Sequence, residues 1–361
     1  MSRPLAGAAQ RRSYPEVLRE AIACIADRRA YGFRIAGGAH RVSADARMLQ
    51  IVVASLPAVL VGLWSQGAAL RGGGLFESIL TGLSSFVPLL ALALAVSLFW
   101  EVVFARVLDR PADAAWLMSA WLYAALLPPW VPSLVVILGL SVGVVFGSHI
   151  FGGTGRYLVS PALLGAAFIN ISYPSLFAAE IWQETFGELP AWVSVADGGV
   201  ASLTASGANW TGVFLGAEVG PFGAPSALLC LLGAAWLAVR GIVSWRTLAG
   251  AMAGMFLSAA LFGSGGDAGS GIPWYWHLAS GSFAFGLAFI ATDPTTMPLT
   301  KAARWMHGVL IGALIVTIRT AVPAHPEATL NTLLFAGLCI PLFDHVVVAA
   351  SKRARHRRLG E

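Results

Sequence analysis

Apolar runs of about twenty residues, separated by short polar connectors, fill the sequence from Leu49 almost to its end. A helix crosses the hydrocarbon core of a bilayer with roughly 20 apolar residues. On that measure the runs predict ten spans, at 49–68, 78–103, 115–131, 133–152, 160–178, 225–241, 247–263, 274–292, 305–322 and 330–349. Gly, Pro and Trp interrupt several of them and soften their ends. The expected fold is an all-α polytopic membrane protein of about ten transmembrane helices. Five fall on each side of a long connection, 179–224, which permits two halves of opposite orientation, as in many membrane carriers. No confident internal sequence repeat accompanies that division.

Three regions follow from the pattern: a basic N-terminal segment, 1–48; the membrane domain, 49–349; and a basic tail, 350–361. The first apolar run begins too late for a signal peptide, and no A-x-A cleavage pattern follows it. Within the N-terminal segment, SYPEVLREAIACIADRRA mixes apolar and charged residues at helical spacing. It reads as an interfacial or docking helix, or equally as a short soluble one.

Composition agrees with the membrane reading. Of 361 residues, 57% are hydrophobic and only 11% charged, against about 25% charged in an ordinary soluble domain; the mean hydropathy is +0.74. Charge then orients the spans. With the N-terminus inside, 21 of the 23 Lys and Arg are cytoplasmic, and only Arg71 and Arg319 fall elsewhere. That asymmetry is what the positive-inside rule expects, and both termini are placed in the cytoplasm. The net charge of +5 therefore points to anionic lipid headgroups and partner subunits, and not to nucleic acid. Cys24, Cys230 and Cys339 are isolated, with no C-x-x-C pair, so neither an iron–sulfur cluster nor another metal site is expected in this chain.

Ionisable side chains inside a membrane are costly and become candidates for an ion or redox path. Glu101 lies near the cytoplasmic end of the second span, where it either serves such a path or reaches the interface past Trp100. Asp344 and His345, in PLFDHVVV, form either a proton relay or a self-neutralising brace. Arg319 sits near the outer end of its span, where it pairs with Glu327 or meets an anionic group. Two stretches break the apolar pattern. In FGSHIFGGTGRYLVSPALLGAAF, 146–168, Gly152, Gly153 and Gly155 allow a tight turn and Pro161 opens the next helix. With Arg156 nearby, the turn is either an anion or cofactor cradle or a plain helical hairpin. A comparable break, IATDPTTMPLTKAAR at 290–304, contains Asp293 before Pro294. The cluster Trp274, Tyr275 and Trp276 reads as an interfacial belt.

HIFGGTGRYLVSPALLGAAF, PWYWHLASGSFAFGLAFIATDP, VLIGALIVTIRTAVPAHPE and LFAGLCIPLFDHVVV together resemble one family, from about residue 39 onward. It comprises the NqrB subunits of the Na⁺-translocating NADH:quinone reductases and the RnfD subunits of the Rnf complexes. PWYWH and the PLFDHVVV ending favour the quinone-reductase branch. The resemblance implies a ten-helix subunit of a bacterial inner (cytoplasmic) membrane complex, with loop 179–224 in the periplasm. It implies electron transfer between flavins coupled to Na⁺ or H⁺ translocation. The NADH site and iron–sulfur centres would lie on partner subunits, since no nucleotide-binding βαβ pattern occurs here. The chain is not catalytic alone, and no catalytic residue is assigned to it.

In the family, FMN is joined through its phosphate to a threonine in an S-G-A-T motif, after an Asp-Gly pair. Here Asp197 and Gly198 are present, but ungapped reading puts Leu203 at the threonine position. A shift of one residue offers Thr204, with Ser202 beside it, as the FMN acceptor for a flavin transferase; Ser206 to Asn209 offers no usable acceptor at its last position. Further departures agree with loss of the covalent flavin. VGPFGAPSA, 219–227, lacks the family's glutamate, Ser97 and Leu98 replace a glycine pair near the quinone site, and Ser160 replaces an asparagine before Pro161. Riboflavin or another non-covalent flavin, and a quinone, remain candidate cofactors. The alternative function is a flavin-free carrier, channel or scaffold subunit on the same fold.

Overall fold

The computed structural model describes residues 13–26, 44–153, 155–157, 159–187, 190, 209–263, 272–321 and 328–359. Among these the chain is helical and contains no strand. The expected all-α membrane architecture is the one observed. Every one of the ten expected intervals contains helix, but among the described residues six helices or helix pairs are long and apolar enough to cross a membrane. They are α2 (Ala44–Arg71), α3 (Leu75–Val107), α5 (Ser133–Gly147) with the turn after it, α10 (Trp245–Gly263), α13 (Lys301–Ala321), and α14 (Thr329–Leu338) continued by α15 (Ile340–Leu359). α15 runs through the expected boundary at residue 350, so the last span and most of the basic tail share one helix.

The other four intervals hold short or interrupted helices: α4 (Ala115–Leu126), α6 (Pro161–Ser172), α9 (Ala227–Val239), and α11 (Trp274–Ala279) followed by α12 (Phe283–Phe285) and a π-helical turn, Gly286–Ile290. The sequence explains where each stops. Pro128 forces Leu127 into extended backbone (φ −89°, ψ 149°) and ends α4. Pro161 occupies the first turn of α6, where its missing N–H costs nothing. Gly281, at φ +66°, separates α11 from α12. The described residues also include α1 (Tyr14–Ala26), α7 (Ala179–Phe186) and α8 (Trp210–Leu215).

The short elements α4, α6 and the stretch from α11 to the π-helical turn are mostly buried, whereas α10 and α15 lie toward the outside. α4 is buried on nearly every side, as an apolar helix without a polar stripe should be. α10 and α15 present Phe256, Leu257, Leu342 and Val346 to the surroundings. Van der Waals packing, not apolar burial, must join helices in lipid, and small residues permit it. A Cβ on Gly308 would strike the Thr247 carbonyl, and one on Gly312 the Ala251 carbonyl, so α13 lies directly on α10.

One irregular segment runs through the interior. Ser65 Oγ donates to the Glu218 carbonyl (2.6 Å), Gln66 Nε2 to the Gly220 carbonyl (2.7 Å), and Gly223 N to the Ala125 carbonyl (2.8 Å). Non-helical backbone is tolerated at membrane depth only when protein groups satisfy it in this way.

Candidate functional site

The two breaks at 146–168 and 290–304 meet inside the structure. After α5, one 3₁₀ turn (His149–Phe151) leads into Gly152, Gly153 and Gly155, at φ +98°, +88° and +82°. Without a Cβ, Gly152 and Gly153 let two guanidinium groups close in. A Cβ on Gly153 would lie 3.0 Å from Arg110 Cζ, and one on Gly152 would lie 3.3 Å from an Arg156 terminal nitrogen. Arg156 itself is exposed.

On the second side, the π-helical turn ends at Ile290, and Thr292 Oγ1 donates to the Ala288 carbonyl (2.6 Å). Asp293 Oδ1 then accepts from Thr295 N (2.9 Å), an Asx turn around Pro294 in the connection between two spans. Thr295 Oγ1 donates to the hydroxyl oxygen of buried Tyr157 (2.9 Å) and links the two breaks. The other carboxylate oxygen of Asp293 is buried without a hydrogen-bond partner among the described residues. Burial pushes this carboxyl up to about 6, against the opposing hydrogen bonds from Thr295.

Beside this seam lies a charged cluster. Arg110 donates to Glu101 Oε2 (3.0 Å) and reaches Asp113 Oδ2 (3.4 Å), and its NH2 lies 3.0 Å from His149 Nδ1. His149 stacks on Phe104 with ring centroids 4.6 Å apart. Glu101 is therefore buried and ion-paired, and the indole N–H of neighbouring Trp100 donates to Ser141 Oγ (2.9 Å). Arg110, Asp113 and His149 were not singled out from the sequence. Arg110 and Asp113 fall in the polar connector after a span, where charge is expected, and nothing local marks their partner.

A cavity of about 20 Å³ lies between the breaks, lined by Val159, Ser160, Ile290, Ala291, Thr296 and His307, among others. It has room for one water. His307 Nδ1 is buried nearby without a hydrogen-bond partner among the described residues.

The remaining sequence-named residues are dispersed. Asp344 accepts from Leu299 N, Thr300 N and Thr300 Oγ1, each at 2.9 Å. It thus caps the start of α13 from another helix. His345 is exposed, whereas the Asp344 carboxylate is taken up by Leu299 and Thr300. Arg319 is buried and donates to the carbonyls of His277 and Ser280, both at 2.8 Å. It satisfies the end of α11; its expected partner Glu327 lies outside the described residues, as do Asp197, Ser202 and Thr204. The far end of that loop is anchored, because Trp210 Nε1 donates to the Tyr275 carbonyl (3.2 Å).

A flavin does not fit the cavity at the seam. Ligand pockets typically measure about 300–1,000 Å³, and the cavity at the seam holds one water. Among the described residues no group of His, Cys, Asp and Glu is placed to hold a metal ion.

The sequence is 35% identical over 345 residues to the B-type subunit of the Na⁺-translocating NADH-quinone reductase of Azotobacter vinelandii, covering 86% of each chain. To the subunit of that name in Pseudomonas aeruginosa it is 38% identical over 292 residues, 79% of this chain and 72% of the relative. In Ectopseudomonas mendocina the identity is 33% over 345 residues, again covering 86% of each chain. The model of the NQR2, RnfD, RnfE family matches residues 39–352, and the chain belongs to that family.

Proposed function

We propose that this chain is the B-type membrane subunit of a Na⁺-translocating NADH:quinone reductase. It would sit in a bacterial inner membrane with both termini cytoplasmic and loop 179–224 periplasmic, and take part in electron transfer coupled to Na⁺ or H⁺ movement. The observation that carries the reading is the seam of Tyr157, Thr295 and Asp293 beside the Glu101–Arg110 pair. Buried ionisable groups at paired helix breaks are where carriers build ion pathways, and both breaks fall within the matched residues.

The residues of this chain would act by position and charge. Arg110 holds Glu101 and Asp113 in place, Tyr157 ties one break to the other, and Asp293 keeps at the seam one carboxylate oxygen that has no hydrogen-bond partner among the described residues. An FMN, where attached, would supply one-electron chemistry in the outer loop, with Thr204 its proposed acceptor. No step is derived through it, because the cavity at the seam is too small to hold a flavin. Quinone reduction, the NADH site and the iron–sulfur centres belong to the assembled complex with its partner subunits.

A second reading, a flavin-free carrier or scaffold, is favoured by Leu203 at the acceptor position and by the small cavity. One experiment separates the two. The complex is expressed with its own flavin transferase, and NADH-driven Na⁺ uptake is followed in inverted vesicles alongside in-gel flavin fluorescence of this subunit. Uptake that requires this chain supports the proposal, and fluorescence lost in Thr204→Ala locates the flavin. Normal NADH oxidation and Na⁺ uptake without the chain would overturn it.

A further inference from the structure

The helix α1 has two apolar strips, and only one is covered. Val17 and Ala21 are fully buried against Leu98, Val102 and Ala105 of α3 and against Ala112. Trp116 Nε1 donates to the Ala21 carbonyl (3.4 Å), and the Arg106 guanidinium lies over the Tyr14 ring, 4.9 Å from its centroid. At about 3.6 residues per turn, Tyr14, Leu18 and Ile22 form a strip beside the docked one. They are 54%, 39% and 52% exposed. Glu16, Arg19, Glu20 and Ala23 fill the remaining arc, which is predominantly polar.

What covers the open strip follows from its place and its flanks. The end of α3 that holds α1 also exposes Phe99, Val107 and Leu108, apolar side chains at the end of a membrane-crossing helix. In sequence, Arg11 and Arg12 precede α1, and Arg28 and Arg29 follow it. An apolar strip, a polar arc opposite, and basic residues at both ends are the attributes of a helix lying in a membrane interface. Clustered arginines are attracted to the anionic cytoplasmic leaflet.

We propose that α1 is an interfacial anchor that lies along the headgroup layer of an anionic bilayer, with Leu18 and Ile22 in the acyl boundary and Arg19 toward water. The partner is the phospholipid surface itself. The proposal rests on the basic end of the chain being cytoplasmic, and it does not depend on the redox reading. It also gives α1 a mechanical role. Through Val17 and Ala21 it ties the headgroup layer to α3 within one turn of Glu101.

The test uses the intact complex in liposomes containing phosphatidylglycerol, with Cys24 and Cys339 replaced by Ser and single nitroxide labels at positions 18, 19 and 22. Labels at 18 and 22 should collide preferentially with oxygen, and the label at 19 with a water-soluble nickel chelate. Nickel-accessible labels at 18 and 22 would place the strip in water. Labels shielded from both reagents would place it under another protein chain. Either result overturns the proposal. Since a label could itself dislodge α1, amide exchange over 14–26 is also followed in the unlabelled complex. Exchange should slow several-fold in nanodiscs containing phosphatidylglycerol relative to purely zwitterionic ones, and equal exchange in the two would overturn it.

Discussion

The Arg319 guanidinium donates to the Ser280 carbonyl at 2.8 Å across 39 residues of sequence, at the point where α11 stops. Its second terminal nitrogen takes the His277 carbonyl at the same distance. The last carbonyls of any helix lack intrahelical donors, and here they are buried in a membrane domain. Arg319 thus lets a helix end where a helix otherwise could not.

Replacing Arg319 with Met should therefore cost far more than a surface change. Each buried carbonyl left without its donor costs about 1–3 kcal/mol, so the two together should cost about 2–6 kcal/mol. Thermal unfolding in detergent, read by a thiol-reactive dye at fully buried Cys230, should show a large fall in midpoint. Arg319→Lys should fall between, since an ammonium can keep one of the two contacts. A midpoint unchanged in Arg319→Met would mean that the clamp contributes nothing to stability.

The bond between Thr295 and Tyr157 joins two halves of the chain through one hydroxyl pair. Tyr157→Phe and Thr295→Val each remove it, and the double variant should cost less than the sum of the singles. The expected coupling is about 1 kcal/mol, the net worth of one hydrogen bond. Strict additivity in the unfolding midpoints would show that the two breaks are not coupled through this contact.

Two glycines separate backbone strain from crowding. Gly72 has φ +60° with nothing within 4 Å of an added methyl, whereas Gly153 has φ +88° with Arg110 Cζ at 3.0 Å. Gly72→Ala should cost about 1 kcal/mol for the left-handed conformation alone. Gly153→Ala should cost more and also lower Na⁺ uptake, because the methyl displaces the guanidinium that neutralises Glu101. Equal losses in the two variants would mean that Arg110 moves aside freely.

Much of this was legible in local chemistry. Gly152, Gly153, Pro161 and Pro294 mark the breaks because backbone freedom is set by the residue itself. The ten apolar intervals were legible for the same reason, but apolarity reports burial and says little about helical continuity. α4 was expected to run from 115 to 131 and instead stops before Pro128, with protein and not lipid around it. Partners across the fold were not legible. Arg110 finds Glu101 nine residues away and His149 thirty-nine away, and Asp344 caps a helix that begins more than forty residues earlier. No spacing rule relates such positions, since tertiary packing alone brings them together.

Asp293 supplies a pH dependence whose direction is fixed by its burial. Its carboxyl, in the turn after the π-helical segment, stands at about 6 in the folded protein against 3.8 ordinarily. The folded state therefore holds this proton more tightly than the unfolded state. Stability from this group is greatest below about pH 4, declines as pH rises through 6, and is flat above. Two pKa units correspond to about 3 kcal/mol, as an order of magnitude. Asp293→Asn keeps an acceptor for Thr295 N and carries no charge, so it should lack the decline. The midpoint difference between Asp293→Asn and the parent should be small at pH 4 and should grow in favour of the variant up to about pH 7. A difference independent of pH would place the Asp293 proton elsewhere. A parent that becomes relatively more stable as pH rises would mean that a bound cation, not a proton, compensates the carboxylate. Repeating the scan with Na⁺ replaced by an impermeant organic cation separates those outcomes.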